Sequence, residues 1–155
     1  MREICSMARV TDSGDVWESL FYCKDMKNGG HGLVDEVDGY DWFREKSNDC
    51  VARRGFSFYY ARHTYDDEFF ILREDVKKST SWQMRYQVVG RPFMLLNQDI
   101  LMVVEAEGVG GKTRIISARV IKDGDLFDDY KSRKQGILAQ RQRNIDYMAK
   151  QMSCL

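Results

Sequence analysis

Proline occurs once in 155 residues, at Pro92, so the chain has no proline-rich linker. Histidine occurs only twice, at His31 and His63, and the four cysteines, Cys5, Cys23, Cys50 and Cys154, include no C-x-x-C pair. Structural zinc sites draw their ligands in close pairs, so neither a metal site nor a disulfide frame is expected, and no cofactor is implied. Four scattered thiols fit a reducing compartment. Also missing are an apolar run near 18 residues, which excludes a membrane-spanning helix, and the cationic-then-apolar pattern of a secretion signal. Together these absences lead to the expectation of a cytoplasmic protein without membrane contact. Net charge is absent too, with 24 basic against 24 acidic groups. That balance argues against nonspecific coating of nucleic acid, because counterion release needs many cations on one surface.

What is present suffices for one folded domain with appendages: 43% hydrophobic and 31% charged residues. The zero sum hides a gradient. Residues 1–50 carry six basic and eleven acidic groups, whereas 131–155 carry six basic and one acidic. The basic tail, Lys131, Arg133, Lys134, Arg141, Arg143 and Lys150, is either a contact for phosphate or an acidic partner, or a solvated helix face or complement of the acidic N-terminal segment.

Residues 1–39 hold turn signals at 12–14 and 28–32 around an apolar stretch, 16–22, and read as an N-terminal extension docked by Trp17, Leu20 and Phe21. The run DWFREKSNDCVARR, 41–54, predicts one amphipathic helix stopped at Gly55. Ser57 opens a second short helix that runs into the acidic turn Asp66-Asp67-Glu68. After a charged loop, three runs rich in β-branched residues predict strands over 83–89, 100–107 and 113–121, joined as an antiparallel meander. Residues 126–155 predict a helix, broken at Gly136, with Ile137, Ile145, Met148 and Met152 on one face. The expected fold class is α+β: a small antiparallel sheet of about three to four strands, packed by N-terminal helices and a C-terminal helix. The expected organisation is an extension over 1–39, a core domain over 40–130 and a helical extension over 131–155.

Ala106 to Thr113 reads AEGVGGKT, which fits a relaxed phosphate-loop pattern. Such a loop needs a helix to begin near its lysine. Here Lys112 is followed by TRIISARVI, a β-branched run, so a hairpin turning at Gly108–Gly111 is expected instead.

Two separated blocks carry a resemblance. In the first, Trp42, Lys46, Arg53 and Gly55-Phe-Ser-Phe58 are followed by Ala61 and Tyr65-Asp-Asp67. In the second stand Arg85-Tyr86, Gly90-Arg91, Leu101–Val104 running to Glu107-Gly108, and Arg114-Ile-Ile-Ser-Ala-Arg119. In order and spacing these resemble the BrnT family of bacterial toxins, small ribonucleases of RelE-like fold that pair with a BrnA antitoxin. Several positions depart from that pattern. Phe43 stands for an aspartate, Cys50 for an asparagine, Arg54 for a histidine and Met84 for a glutamate; Glu105 stands where histidine or tyrosine is common.

The resemblance implies the toxin component of a toxin–antitoxin pair, a metal-independent endoribonuclease that cleaves RNA and blocks translation, with a BrnA-like antitoxin and RNA as partners. Such cleavage needs a proton acceptor at the ribose 2′-OH and cations around the pentacoordinate phosphate. Lys46, Arg85 and Arg119 are the matched cations for the phosphate, and Glu107 is the matched carboxylate, either accepting a proton or orienting an arginine. Arg53, Arg54, Arg91 and Arg114 are candidate RNA contacts. Arg114 and Arg119 are five apart, hence on opposite faces of a regular strand unless a bulge intervenes, which favours Arg119 for the site and leaves Arg114 to the hairpin or the antitoxin surface. The alternative is a catalytically inactive module that keeps the fold and docks an antitoxin or another protein. A DNA-binding repressor has no helix-turn-helix or ribbon-helix-helix arm to support it. The apolar stripe of the tail must be covered by the sheet, by the N-terminal extension or by a second copy of the chain in a homodimer. Packing within the same chain is expected, from the charge gradient.

Overall fold

The computed structural model describes residues 6–7, 21–25, 30–93 and 99–153. Eight strands form one mixed sheet: β1 (Ser6–Met7), β2 (Phe21–Asp25), β3 (Gly30–Val37), β4 (Tyr40–Phe43), β5 (Ile71–Glu74), β6 (Arg85–Gly90), β7 (Ile100–Glu107) and β8 (Thr113–Ile121), in the order β1-β2-β3-β4-β8-β7-β6-β5. Three α-helices accompany it: α1 (Arg44–Arg54), α2 (Phe58–Ala61) and the long α3 (Asp125–Ser153). The fold is thus α+β, as expected. The small antiparallel sheet is corrected to a larger one with a parallel pair, β4 against β8, whose partners are Tyr40↔Thr113 and Asp41↔Arg114.

The extra strands come largely from the chain before residue 44. The boundary expected between 39 and 40 falls inside the tight Asp38-Gly39 turn joining β3 to β4, where φ is 50° and 83°. An Asp-Gly pair tolerates positive φ at both positions, which is what a two-residue hairpin turn needs. Trp17 and Leu20, expected to dock the extension, lie outside the described residues, as do Cys5, Cys154 and the first turn signal. Phe21 opens β2.

The helix expected over 41–54 begins at Arg44, because Asp41, Trp42 and Phe43 continue a strand. Trp42 enters the core under α1 and α2, while Phe43 packs with Val34 in a different cluster. Gly55 ends α1 as expected, at φ 80° with its N–H donating to the Val51 carbonyl at 2.9 Å. Strands β7 and β8 have the expected bounds. Between them Gly108–Gly111 forms the turn, and Lys112 pairs with Glu36 at 2.8 Å, so no phosphate loop is built. Helix α3 runs through Gly136 without a break.

Both faces of the sheet are covered. On one, α1 and α2 bring Cys50, Phe58 and Ala61 onto Val88, Leu101, Val103, Ile115 and Ala118. On the other, Leu126, Tyr130 and Ile137 of α3 meet Val89, Met102 and Val104. Alternate residues of β7 thus feed opposite cores, and each fully buried aliphatic side chain contributes about 1.5–3 kcal/mol.

Candidate functional site

The register between β7 and β8 shifts at Val104/Glu105. Val104 faces Ser117 and Glu105 faces Ile115, which leaves Ile116 as the extra residue of a bulge. This bulge turns Arg114 and Arg119 to the same face. Arg119 lies opposite Met102 and Arg114 opposite Ala106 on the α3 face, and Arg85 joins them there, opposite Ala106 on β6. Three of the expected cations therefore share one side of the sheet.

They do not form one pocket. Arg119 opens on a concavity of about 470 Å³ between β5, β6 and the start of α3, lined also by Arg73, Asp75, Gln87, Met102 and Asp123. Asp75 is buried there, accepting from Gln87 Nε2 at 3.2 Å, and Arg73 pairs with Asp129 at 3.0 Å. The lining holds three cations, Arg73, Lys77 and Arg119, against four carboxylates, Glu74, Asp75, Asp123 and Asp125. A polyanion entering this space meets more negative than positive groups.

Arg114, expected to contact RNA, is corrected to a structural role. It is 3% exposed. Its Nε and Nη2 donate to the two oxygens of Asp41 at 2.9 and 3.1 Å, and its guanidinium lies 4.9 Å from the Phe43 ring centroid. Asp41 also accepts from the Val109 N–H at 3.3 Å. Gly108 leaves room for this arrangement, since a Cβ there would stand 2.7 Å from the Asp41 carboxylate. A buried fork whose Nε and Nη2 are both spent on one carboxylate is not presented to a phosphate from solvent.

Lys46 sits near the start of α1 with its Nζ 5.7 Å from the Phe43 ring centroid, and no residue of α1 lines the concavity at Arg119. The convergence of Lys46 and Arg119 on one phosphate is therefore not built: the Lys46 ammonium lies over the Phe43 ring that Arg114 also faces, outside the concavity onto which Arg119 opens. Arg53 pairs with Asp49 one helical turn back at 3.4 Å. Arg54 donates to the Ala118 carbonyl at 2.8 Å and anchors the end of α1 to β8. Burial pushes the neighbouring Cys50 thiol up, against the lowering effect of Arg54. The Arg91 N–H donates to Asp67 at 2.7 Å. Arg85 holds the β5–β6 connection through its N–H to Ser79 Oγ, at 2.9 Å, and its Nε to Gln83, at 3.3 Å. Glu107 ends β7 opposite Thr113, on the α1 side by alternation, away from Arg119.

Under α1 and α2 lies a polar group that motif spacing did not single out. The Tyr65 hydroxyl donates to the Glu105 carboxylate. Burial pushes Glu105 above the ordinary carboxyl value, against the lowering effect of that bond, and burial together with the Glu105 charge pushes Tyr65 far up. Nearby, His63 Nδ1 lies 2.6 Å from Asp66, and Arg62 pairs with Asp38 at 3.1 Å while stacking over Tyr59 at 4.5 Å. Arg62 Nε and Thr64 Oγ1 are buried without a hydrogen-bond partner among the described residues. The sequence signals for this group were Tyr65 and Asp66, in the first matched block, and Glu105, standing where an imidazole or phenol is common in the resembled family.

The edge strand β5, unpaired on its outer side among the described residues, and the connection to β6 expose Leu72, Val76, Trp82 and Met84. Among the described residues no set of three or more His, Cys, Asp or Glu side chains could hold a metal ion, and no helix is long and apolar enough to cross a membrane.

No family model matches the chain. A stretch of 73 residues is 33% identical to a protein of Drosophila pseudoobscura pseudoobscura described as a glycosyltransferase 25 family member. The match takes in 47% of this chain and 12% of that protein, so the chain spans about an eighth of the length of the relative it resembles there.

Proposed function

We propose that the chain is a BrnT-like toxin-fold module whose work is to dock a protein partner of the BrnA-like antitoxin kind, without cutting RNA. One observation carries this reading. The cations that would have to grip a single phosphate are divided: Lys46 and Arg114 lie against Phe43, with Arg114 held by Asp41, while Arg119 opens on a separate concavity with more carboxylates than cations. Stabilising a pentacoordinate phosphate requires donors gathered around one point, and scattered donors lose that effect. A partner has a surface to meet in the exposed apolar groups at the β5 edge, Leu72, Val76, Trp82 and Met84, since tryptophan and methionine are enriched where proteins bind one another.

The second reading, RNA cleavage by a RelE-like ribonuclease, is favoured by the bulge that sets Arg85, Arg114 and Arg119 on one face. Inducible expression separates the two. Docking alone predicts unimpaired growth and intact RNA at confirmed soluble expression, together with co-purification of the small protein encoded next to this gene. Growth arrest with RNA loss that disappears in Lys46→Ala and Arg119→Ala overturns it in favour of the nuclease.

A further inference from the structure

Helix α3 is 29 residues long, about 43 Å at 1.5 Å per residue, and only its first part lies on the sheet. Residues 138–153 are exposed throughout. The face that meets the sheet nevertheless continues past its edge: Leu126, Tyr130, Ile137, Arg141, Met148 and Met152 follow one another at alternating steps of four and seven. Arg141 marks the edge, held to Glu68 at 2.6 Å. Beyond it Ile145 is 61% and Met152 73% exposed, and Leu138 and Met148 are exposed beside them. Cover by the chain itself, expected from the charge gradient, is absent among the described residues.

The polar residues of this overhang indicate what fits it. With Leu138, Ile145 and Met152 on the seam of a heptad repeat, the flanking positions hold Gln142, Asn144, Ala149 and Gln151, none of them charged. Flanking charges are what select a different partner chain in such a pairing, and like charges there would repel an identical one. Arg143, Asp146 and Lys150 fall on the outer side. If two copies run antiparallel about Ile145, Leu138 lies level with Met152 of the other copy, Arg141 with Ala149, Arg143 with Tyr147, Asp146 with Asn144 and Lys150 with Gln140. No two like charges meet.

We propose that the overhanging part of α3 is a self-association surface, and that two copies of this chain pair through it as an antiparallel two-helix seam centred on Ile145. The contact is isologous, so it closes at two copies and does not propagate. Its 16 residues span about 24 Å, which places it among small interfaces that form and separate in the micromolar range. This pairing does not depend on whether the chain docks a partner or cuts RNA.

Sedimentation of the full chain tests it. Between about 1 and 100 µM the mass rises from one copy to two. Ile145→Asp stays at one copy over the same range with unchanged helix content and melting temperature, because Ile145 is 61% exposed and belongs to no core cluster of the described residues. Orientation is read in a Cys154→Ser background. Ile145→Cys oxidises to a linked dimer, Leu138→Cys alone does not, and Leu138→Cys mixed with Met152→Cys does. A chain that remains a single copy at about 100 µM overturns the proposal, as does self-linking of Leu138→Cys, which reports a parallel pair.

Discussion

The two faces of the sheet use arginine in opposite ways. On the α3 face, Arg119 is exposed on an open concavity and Arg73 and Asp129 form a surface pair; at the β4–β8 junction of the same face, Arg114 is sealed against Asp41 and Phe43. On the α1 face the arginines serve the fold, with Arg54 bonded to a strand carbonyl and Arg62 tied to Asp38, while the Glu105 carboxyl accepts from the Tyr65 hydroxyl. The concavity onto which Arg119 opens and the buried Tyr65–Glu105 pair are thus on different sides of one β-layer. Motif position alone does not separate an arginine that binds from one that braces. Its burial and its partners do.

The largest effect follows from breaking the sealed pair. Asp41→Ala takes from the buried Arg114 the carboxylate that accepts from its Nε and Nη2 and costs about 3–5 kcal/mol, a large part of the stability of a domain this size. Urea titration measures it as a lowered midpoint. Gly108→Ala moves the midpoint the same way, because its methyl group enters the space of the Asp41 carboxylate. Arg119→Ala, on the open side, changes stability by no more than about 0.5 kcal/mol. Equal losses at 41 and 119 would erase the contrast.

A smaller effect comes from Glu105. Its carboxyl is raised by burial, so the folded state holds the proton to higher pH than the unfolded chain does. Below the ordinary carboxyl range both states are protonated and the group costs nothing. As pH rises from that range through the raised value, the unfolded state ionises first and stability is lost. Glu105→Gln removes this loss while keeping an acceptor for the Tyr65 hydroxyl. Its melting temperature therefore exceeds that of the wild type at pH 7, and the gain fades to nothing as pH is lowered past the ordinary carboxyl range. A gain independent of pH would mean that packing, and not the proton, is responsible.

Local signals made much of the fold legible. The β-branched runs marked β7 and β8 at their full lengths, Gly55 marked the end of α1, and the rejected phosphate loop is a hairpin turn. Long-range pairing was not legible. Asp41-Trp-Phe43 reads as the start of a helix until a parallel neighbour is known, and β5, ILRE, is too short and too charged to stand apart from a loop. The candidate site suffered from the same limit. Strand alternation put Arg114 and Arg119 on opposite faces, and the bulge at Ile116 reversed that conclusion. Asp41 and Arg114 are 73 positions apart, so their bond has no local trace. The apolar tail was legible as a stripe, but its length against the width of the sheet leaves it uncovered among the described residues.

The central claim is that Lys46 and Arg119 act at separate places. Anisotropy of a short fluorescent single-stranded RNA at low salt measures it, using the wild type, Lys46→Ala, Arg119→Ala and the double variant. The account predicts that the two changes in binding free energy add to within about 0.5 kcal/mol, as they do for sites without shared partners. A coupling of about 1 kcal/mol or more would contradict it, because it would mean that both cations hold one phosphate.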